Sequence, residues 1–461
     1  MISTPTAKHK DTIIALATPP GAGAIAVIRL SGTEAVRLTN EAFAGKNLEQ
    51  QPSHTLHFGT IRHEGQILDE VVVSLYKAPA SYTKEDVIEI SCHGSDFIVQ
   101  QIIKLFLAKG ARLAEAGEFT LRAFLNGRFD LAQAEAVADL IASDSALSHE
   151  VAMKNMRGGF SGLIKKLREE LIHFASLIEL ELDFGEEDVE FADREALARL
   201  VEQLLAAIKP LLESFAAGNA IKSGVAAAII GKPNAGKSTL LNALLNEERA
   251  IVSDIAGTTR DMIEDTVVID GLLFRFADTA GIRETDDAIE KIGVERALQQ
   301  AGKSAIIIYL FDSAQTSPAE VATELQKLQQ YNVPILPVAN KIDKADAETL
   351  AAWNKNYPAM AAISASAGIG IEQLKQQLVT LVLQNKNTGT GVIVTNMRHY
   401  EALDQTKQAL QQVLAGLNSN ITGDFVAADI RRSLYYLGQI TGEITTNDLL
   451  TNIFSKFCIG K

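Results

Sequence analysis

The feature that most constrains the fold is a short loop, Gly231-Lys232-Pro233-Asn234-Ala235-Gly236-Lys237-Ser238, set between the apolar run Val225–Ile230 and the helix-forming run Thr239–Leu245. It matches G-x-x-x-x-G-K-[ST] in the strand–loop–helix context that gives the pattern its meaning. Backbone N–H groups and a helix N-terminus can surround phosphates there, while a lysine offsets charge on the β- and γ-groups and a hydroxyl reaches Mg²⁺. Lys237 and Ser238 take those two roles, with Asn234, Ala235, Gly236 and Thr239 completing the cradle. Such a loop belongs to βαβ units around a mostly parallel sheet. Buried-type strands follow at Ala305–Phe311, Ile335–Ala339 and Ala361–Ile363, alternating with helical segments to about Leu383.

Three more segments arrive in the order a guanine-nucleotide site requires. Gly257-Thr258-Thr259-Arg260-Asp261 offers a threonine that can sense the γ-phosphate through Mg²⁺. Asp278-Thr279-Ala280-Gly281 ends the strand Leu273–Ala277, placing Asp278 near the metal and Gly281 near the γ-phosphate; Asp270-Gly271 between the two segments reads as a hairpin turn. Asn340-Lys341-Ile342-Asp343 follows a buried strand and selects the base. Asp343 accepts from the N1–H and exocyclic amine of guanine, which adenine cannot match, and a buried carboxylate left without donors makes the wrong base costly. Ser364-Ala365 then presents a backbone N–H to the guanine carbonyl oxygen. The ordered set implies a domain that binds and hydrolyses GTP.

After D-x-x-G stands Ile282, which cannot orient the attacking water as a glutamine would. Candidates for that role lie downstream in the acidic stretch Glu284, Asp286, Asp287 and Glu290, which also reads as a solvated loop. Transition-state charge can be offset by a monovalent cation on the Asn234 amide oxygen and the carbonyls of Ser253–Thr258.

With 461 residues the chain should hold about three domains. Strands at Ile25–Ile28, Val71–Leu75 and Val87–Ile90 and a helix at Phe97–Leu107 predict an N-terminal α+β domain, residues 1–125. Asp130 reads as the N-cap of a helix Leu131–Ile141. Helical texture runs on to Lys222, with Leu163, Leu167, Leu171 and Leu177 at helical spacing, broken by an acidic stretch Glu179–Glu190 that reads as solvated. Beyond a polar linker Gln384–Gly391, helices return at Ala402–Leu417 and Phe425–Leu437. The fold class is multidomain α/β: residues 126–222 plus 384–461 form a discontinuous helical domain, and 223–383 an inserted Ras-like G domain. The net charge of −14 argues against a protein that coats nucleic acid non-specifically, without excluding a local basic patch. Cys92 and Cys458 cannot make a disulfide framework, Cys92-His93 reads as a strand end, and no signal-like start or long apolar span is seen, so cytoplasm is the default.

With these motifs placed, the chain resembles the MnmE/TrmE family of tRNA modification GTPases over nearly its whole length. The resemblance is carried by Ala17-Thr18-Pro19-Pro20-Gly21, Arg122-Ala123-Phe124-Leu125-Asn126-Gly127, Leu131-Ala132-Gln133-Ala134-Glu135-Ala136, the inserted G domain and the tail Phe457-Cys458-Ile459-Gly460-Lys461. It implies an N-terminal domain that dimerises and binds a formyl-tetrahydrofolate-type one-carbon donor through Arg29, Glu89, Arg128 and Lys461. It also implies K⁺ on Asn234, Ser253, Ile255 and Thr258, Mg²⁺ on Ser238 and Thr259, and Asp254, Ala256 and Gly257 around the nucleotide. Glu290 would orient water beside the catalytic Lys237, and Cys458 is a candidate thiol. A flavin-dependent partner, MnmG or GidA, would complete a heterotetramer that installs a (carboxymethyl)aminomethyl group at C5 of the wobble uridine. From the residues alone, Arg29 also reads as a solvated residue ending its strand, and Glu89 as facing solvent. The rival readings are a ribosome-assembly GTPase, for which no basic RNA-binding module is found, and a membrane-remodelling GTPase, for which no basic amphipathic stretch is found.

Overall fold

The structure, a computed structural model, describes residues 11–183, 193–247, 264–277, 302, 304–383, 391–419 and 423–461. They form two compact units. One runs to Ala138 and includes Asn155–Glu169 and Leu434–Lys461; the other comprises Asp139–Lys154 and Glu170–Ser433.

The first unit is built on strands β1 (Ile13–Leu16), β2 (Gly23–Ser31), β3 (Phe43–Ala44), β4 (Thr55–His63), β5 (Gln66–Tyr76), β6 (Val87–Gly94) and β7 (Arg112–Leu113). Their order is β3-β4-β5-β6-β2-β1-β7, antiparallel except for the parallel pair β1–β7. Period-two alternation splits each strand between two faces. Val71, Val73 and Leu75 of β5 with Ile28, Leu30, Ile88 and Ile90 point inward against helices Ala35–Ala42 and Asp96–Ala108. The opposite phase places Arg29 directly across from Glu89 on the outer face, where Leu56, Phe58 and Val72 are also exposed. Arg29 therefore lies inside its strand, which continues to Ser31, and does not end it.

Asp130 caps the helix Leu131–Ile141 as expected. Its Oδ1 accepts from Gln133 N–H at 3.0 Å, and Gln133 Oε1 accepts from Asp130 N–H at 3.0 Å. The C-terminus returns to the start of the chain. Helix Asn447–Phe454 packs on helix Glu118–Leu125, Ile459 bridges to Ala116, and a Cβ at Gly460 would lie 2.3 Å from the Leu16 carbonyl oxygen.

The second unit carries β8 (Val225–Ile230), β9 (Glu264–Ile269), β10 (Leu272–Ala277), β11 (Ile306–Asp312), β12 (Ile335–Asn340) and β13 (Ala361–Ala362) in the order β13-β12-β11-β8-β10-β9. All neighbours are parallel except the hairpin β9–β10. Its turn is the Asp270-Gly271 pair, at φ 47° and 80°, as its composition predicts. β11 is buried along its whole length, which suits a central strand of a sheet covered on both faces. Helix Lys237–Glu247 leaves the phosphate loop.

Two helical readings shift in detail. Helix Gly159–Asp183 buries Ile164, Leu167, Leu171, Ala175 and Ile178, so Leu163 and Leu177 only flank the packed stripe. Helix Arg194–Ser223 is long and apolar enough by length and composition to cross a membrane. Its buried positions, Leu197, Val201, Leu204, Ile208 and Leu211 onward, recur every three or four residues, the pattern of one packed side.

Candidate functional site

The phosphate loop begins where β8 stops. Gly231 passes so close to β11 that a Cβ there would lie 2.1 Å from the Leu310 carbonyl oxygen. At Gly236 the chain takes φ 97°, and a Cβ would meet Asn340 Nδ2 at 2.3 Å, so glycine is required on both counts. Asn234 accepts the left-handed region at φ 60°. Lys237 Nζ donates to the Gly231 and Lys232 carbonyls at 3.0 and 3.1 Å, which holds the ammonium over the loop. Lys237 opens the helix, and Ser238 and Thr239 follow in its first turn.

The base-reading loop is tied to this one by side chains. Asn340, 2% exposed, donates from Nδ2 to the Ala235 carbonyl at 2.7 Å and accepts from Ala365 N–H at 3.0 Å. A single amide thus joins the phosphate loop, β12 and the loop after β13. Lys341, itself left-handed at φ 61°, donates from Nζ to the Asn234 carbonyl at 2.7 Å and to Asp312 Oδ2 at 2.8 Å. Asp343 stands on the following turn and is exposed, so the expected buried carboxylate is not found. Ser364 is fully buried and closes its loop with Ile369 through two backbone bonds. Of the two N–H groups the Ser364-Ala365 pair offers to the base, that of Ser364 donates to Ile369 and that of Ala365 to Asn340, so reading a carbonyl there requires one of those bonds to be exchanged or shared. Ser253, Asp254, Ile255, Ala256, Gly257, Thr258, Thr259, Asp278, Thr279, Ala280, Gly281 and Glu290 lie outside the described residues.

Asp312 was not singled out from sequence. Burial pushes its carboxyl upward, but the Lys341 ammonium and the Ala314 N–H outweigh that and hold it below the usual carboxylate range. Its only sequence signal was an acidic residue closing an otherwise apolar strand; its register with Asn340 came with the sheet.

The first unit holds a cavity of about 510 Å³, a second candidate site, lined by Arg29, Tyr82, Lys84, Glu89 and Arg128 among others. Three of the four residues named for the one-carbon donor meet here. Arg29 Nε donates to Glu89 Oε1 at 2.9 Å, and its Nη1 donates to the Gly460 carbonyl at 3.3 Å, which brings the tail alongside. Tyr82 forms the shared platform: the Arg29 and Arg128 guanidinium carbons lie 5.3 and 5.1 Å from its ring centroid. Arg128 also donates to the Ser81 carbonyl. Burial first, and then the Arg29 guanidinium, press the Lys461 ammonium below its usual value against the pull of Glu89. Cys458 is exposed on the tail. Nothing in the sequence marks Tyr82, because a cation–π platform has no motif spacing.

Cys92 and His93 do not act together. The Cys92 thiol is buried and pushed up to about 11 by desolvation and then by Asp69, whereas His93 Nδ1 pairs with Asp69 at 2.7 Å.

A family model described as the MnmE helical domain matches residues 131–458, and one described as the GTP-binding protein TrmE N-terminus matches residues 12–128. The tRNA modification GTPase MnmE of Cytophaga hutchinsonii is 57% identical over 461 residues, covering 100% of both chains. Its namesake in Flavobacterium psychrophilum is 53% identical over 460 residues, covering 98% of this chain and 100% of that one. Aquifex aeolicus Era, solved bound to GDP.AlF4⁻, is 28% identical over 40% of this chain and 66% of its own, at a TM-score of 0.26 that carries no structural argument. Identity at this level along the full length, together with a nucleotide-type loop inserted between helical segments, means that the chain belongs to the MnmE/TrmE family of tRNA modification GTPases.

Proposed function

We propose that this chain is a K⁺-stimulated GTPase that, with a flavin-dependent partner of the MnmG/GidA kind, installs a (carboxymethyl)aminomethyl group at C5 of the wobble uridine of certain tRNAs. GTP hydrolysis drives the conformational cycle. The observation that carries the nucleotide part is the joining of the two loops: Asn340 and Lys341 are fastened to Ala235 and Asn234 of the phosphate loop at 2.7 Å each. Base selection and phosphate binding then act on one ligand of fixed length, which suits a guanine nucleotide.

In this reading Lys237 offsets phosphate charge, Asp343 reads the guanine edge, and Ser364 and Ala365 flank the base. Ser238 and Thr259 hold Mg²⁺, which neutralises charge on the phosphates. Asn234, Ser253, Ile255 and Thr258 hold K⁺, and Glu290 orients water. Residues 223–383 are the G domain, set into a helical domain of residues 126–222 and 384–461, with residues 1–125 as the dimerising domain. The exposed Phe58 and Val72, paired across β4 and β5 beside Leu56, support a second copy as the partner of that face. The cavity over Tyr82 suits a flat heteroaromatic one-carbon donor, with Arg29 and Arg128 stacked on that ring and Lys461 nearby. The chain would act in the cytoplasm.

The test is steady-state GTP hydrolysis of the whole chain in KCl and in NaCl across protein concentrations, with Asn234→Ala alongside. Faster specific activity in K⁺ that rises with concentration and is lost in Asn234→Ala supports the reading. Equal slow rates in both salts reject cation activation. Isothermal titration calorimetry with 5-formyl-tetrahydrofolate checks the second site: saturable binding that is lost in Arg29→Ala supports it, and no heat of binding in the wild type rejects it.

A further inference from the structure

We propose that Asp312 is a positioning residue for the nucleotide, holding the Lys341 ammonium on the Asn234 carbonyl so that the base-reading and phosphate loops move as one piece. This deepens the guanine-nucleotide reading and rests on it.

Lys341 has a long, flexible stem, and fixing its ammonium costs side-chain entropy. One neutral carbonyl acceptor compensates poorly for this. Asp312 changes that balance: its Oδ2 accepts from Lys341 Nζ at 2.8 Å, with the Asp312 side chain 11% and the Lys341 side chain 24% exposed. An ion pair so shielded is screened much less than a surface pair. Asp312 is itself held. Its Oδ1 accepts from Ala314 N–H at 3.0 Å, and its carbonyl accepts from Thr316 N–H at 3.0 Å. It ends β11 exactly opposite Asn340 in the parallel register, and Ser313 N–H donates to the Asn340 carbonyl at 2.9 Å. The chain of contacts therefore runs from a central strand through Asp312 and Lys341 to Asn234, the loop residue in a left-handed conformation. Such a conformation costs energy in a non-glycine residue and persists only where surrounding contacts enforce it. Asn340 supplies a second, parallel tie to Ala235. Hence removing Asp312 should loosen the loop without dismantling it.

The experiment is a double-mutant cycle on the full chain, read by equilibrium binding and dissociation of a fluorescent GTP and GDP analogue. Asp312→Ala and Lys341→Met should each weaken binding of both nucleotides by about ten-fold, the worth of one charge-assisted hydrogen bond. Most of the loss should appear as faster dissociation. The double variant should be no weaker than either single one, because both break the same link. Asp312→Asn keeps an oxygen for Lys341 and should recover at least half of the loss on a logarithmic scale. Additive losses in the double variant, or wild-type affinity in Asp312→Ala, would overturn the proposal. Should Asp312→Ala fail to fold, the cycle run with Asp312→Asn and Lys341→Met decides it by the same criterion of non-additivity. Failure of the wild-type chain to bind either analogue would instead reject the guanine-nucleotide site itself.

Discussion

At the scale of single residues, the nucleotide-type loop is shaped by what cannot be added to it. Gly236→Ala would place a methyl group 2.3 Å from Asn340 Nδ2 at a backbone φ of 97°. The expected result is loss of the Asn340–Ala235 bond and at least ten-fold weaker binding of a fluorescent GTP analogue, with stability reduced by about 1–2 kcal/mol in urea denaturation. Wild-type affinity would show that the loop has another way to close. At Asp343, exchange for asparagine turns an acceptor into a donor at the guanine edge, so preference should move from GTP toward xanthosine triphosphate by two orders of magnitude or more. Competition binding measures it, and unchanged selectivity would place base reading elsewhere. The loop glycines and Asp343 were legible because each belongs to a short spacing rule. Asp312 and Tyr82 were not, since their partners lie far away in sequence: Lys341 pairs with Asp312 across 29 positions.

Elements add constraints that no single residue expresses. Helix Arg194–Ser223 crosses the segment leading to helix Met397–Asn418 at Gly218, where a Cβ would stand 2.1 Å from the Val394 carbonyl oxygen. Ser214 Oγ accepts from Val394 N–H at 3.1 Å one turn earlier. The crossing is thus a close backbone approach pinned by one hydrogen bond, next to where the chain enters β8. Gly218→Ala should cost about 1–3 kcal/mol, since neither backbone can retreat without unpacking Ile221 or Val394. Urea unfolding followed by circular dichroism would detect it, and an unchanged midpoint would mean that the crossing opens at little cost. Strand alternation had the same predictive reach for β2 and β6. It allowed Glu89 an outward phase, but Arg29 read as a strand end, and the register that sets the two opposite each other came only with the sheet.

For the whole molecule, the most telling feature is a buried ionic knot in the first unit. Arg122, 1% exposed, pairs with Asp11 at 2.7 Å, with Glu118 at 3.0 Å and with Glu85 at 3.2 Å, joining the chain before β1, a helix and the loop before β6. Burial raises the Glu118 carboxyl, but hydrogen bonds from Arg112, the Glu115 N–H and Arg122 outweigh it and leave it below the usual value of 4.5. Asp11 is lowered in the same way, burial being outweighed by Arg112 and Arg122. Because the unfolded chain takes up these protons first as pH falls, the contribution of both groups is whole above their free values of 4.5 and 3.8 and drains away as pH drops through the folded-state values. Melting temperature should therefore fall steeply below about pH 4.5, and Glu118→Gln should melt lower at pH 7 while losing part of that acid slope. An acid slope identical to that of the wild type would remove Glu118 from the account.

What the amino-acid sequence determined by itself was everything governed by local spacing: the strand–loop–helix of the phosphate site, the Asp270-Gly271 hairpin, the Asp130 cap and the order of the G-domain segments. These depend on backbone geometry within a few residues of the motif, so the chain alone specifies them. Tertiary structure decided what has no spacing. It brought Gly460 within 3.3 Å of Arg29, set Tyr82 beneath two guanidinium groups and clamped Lys341 between Asp312 and Asn234. Those pairings arise because sheets and packed helices bring distant segments to one place, and only the assembled core selects which side chains meet there.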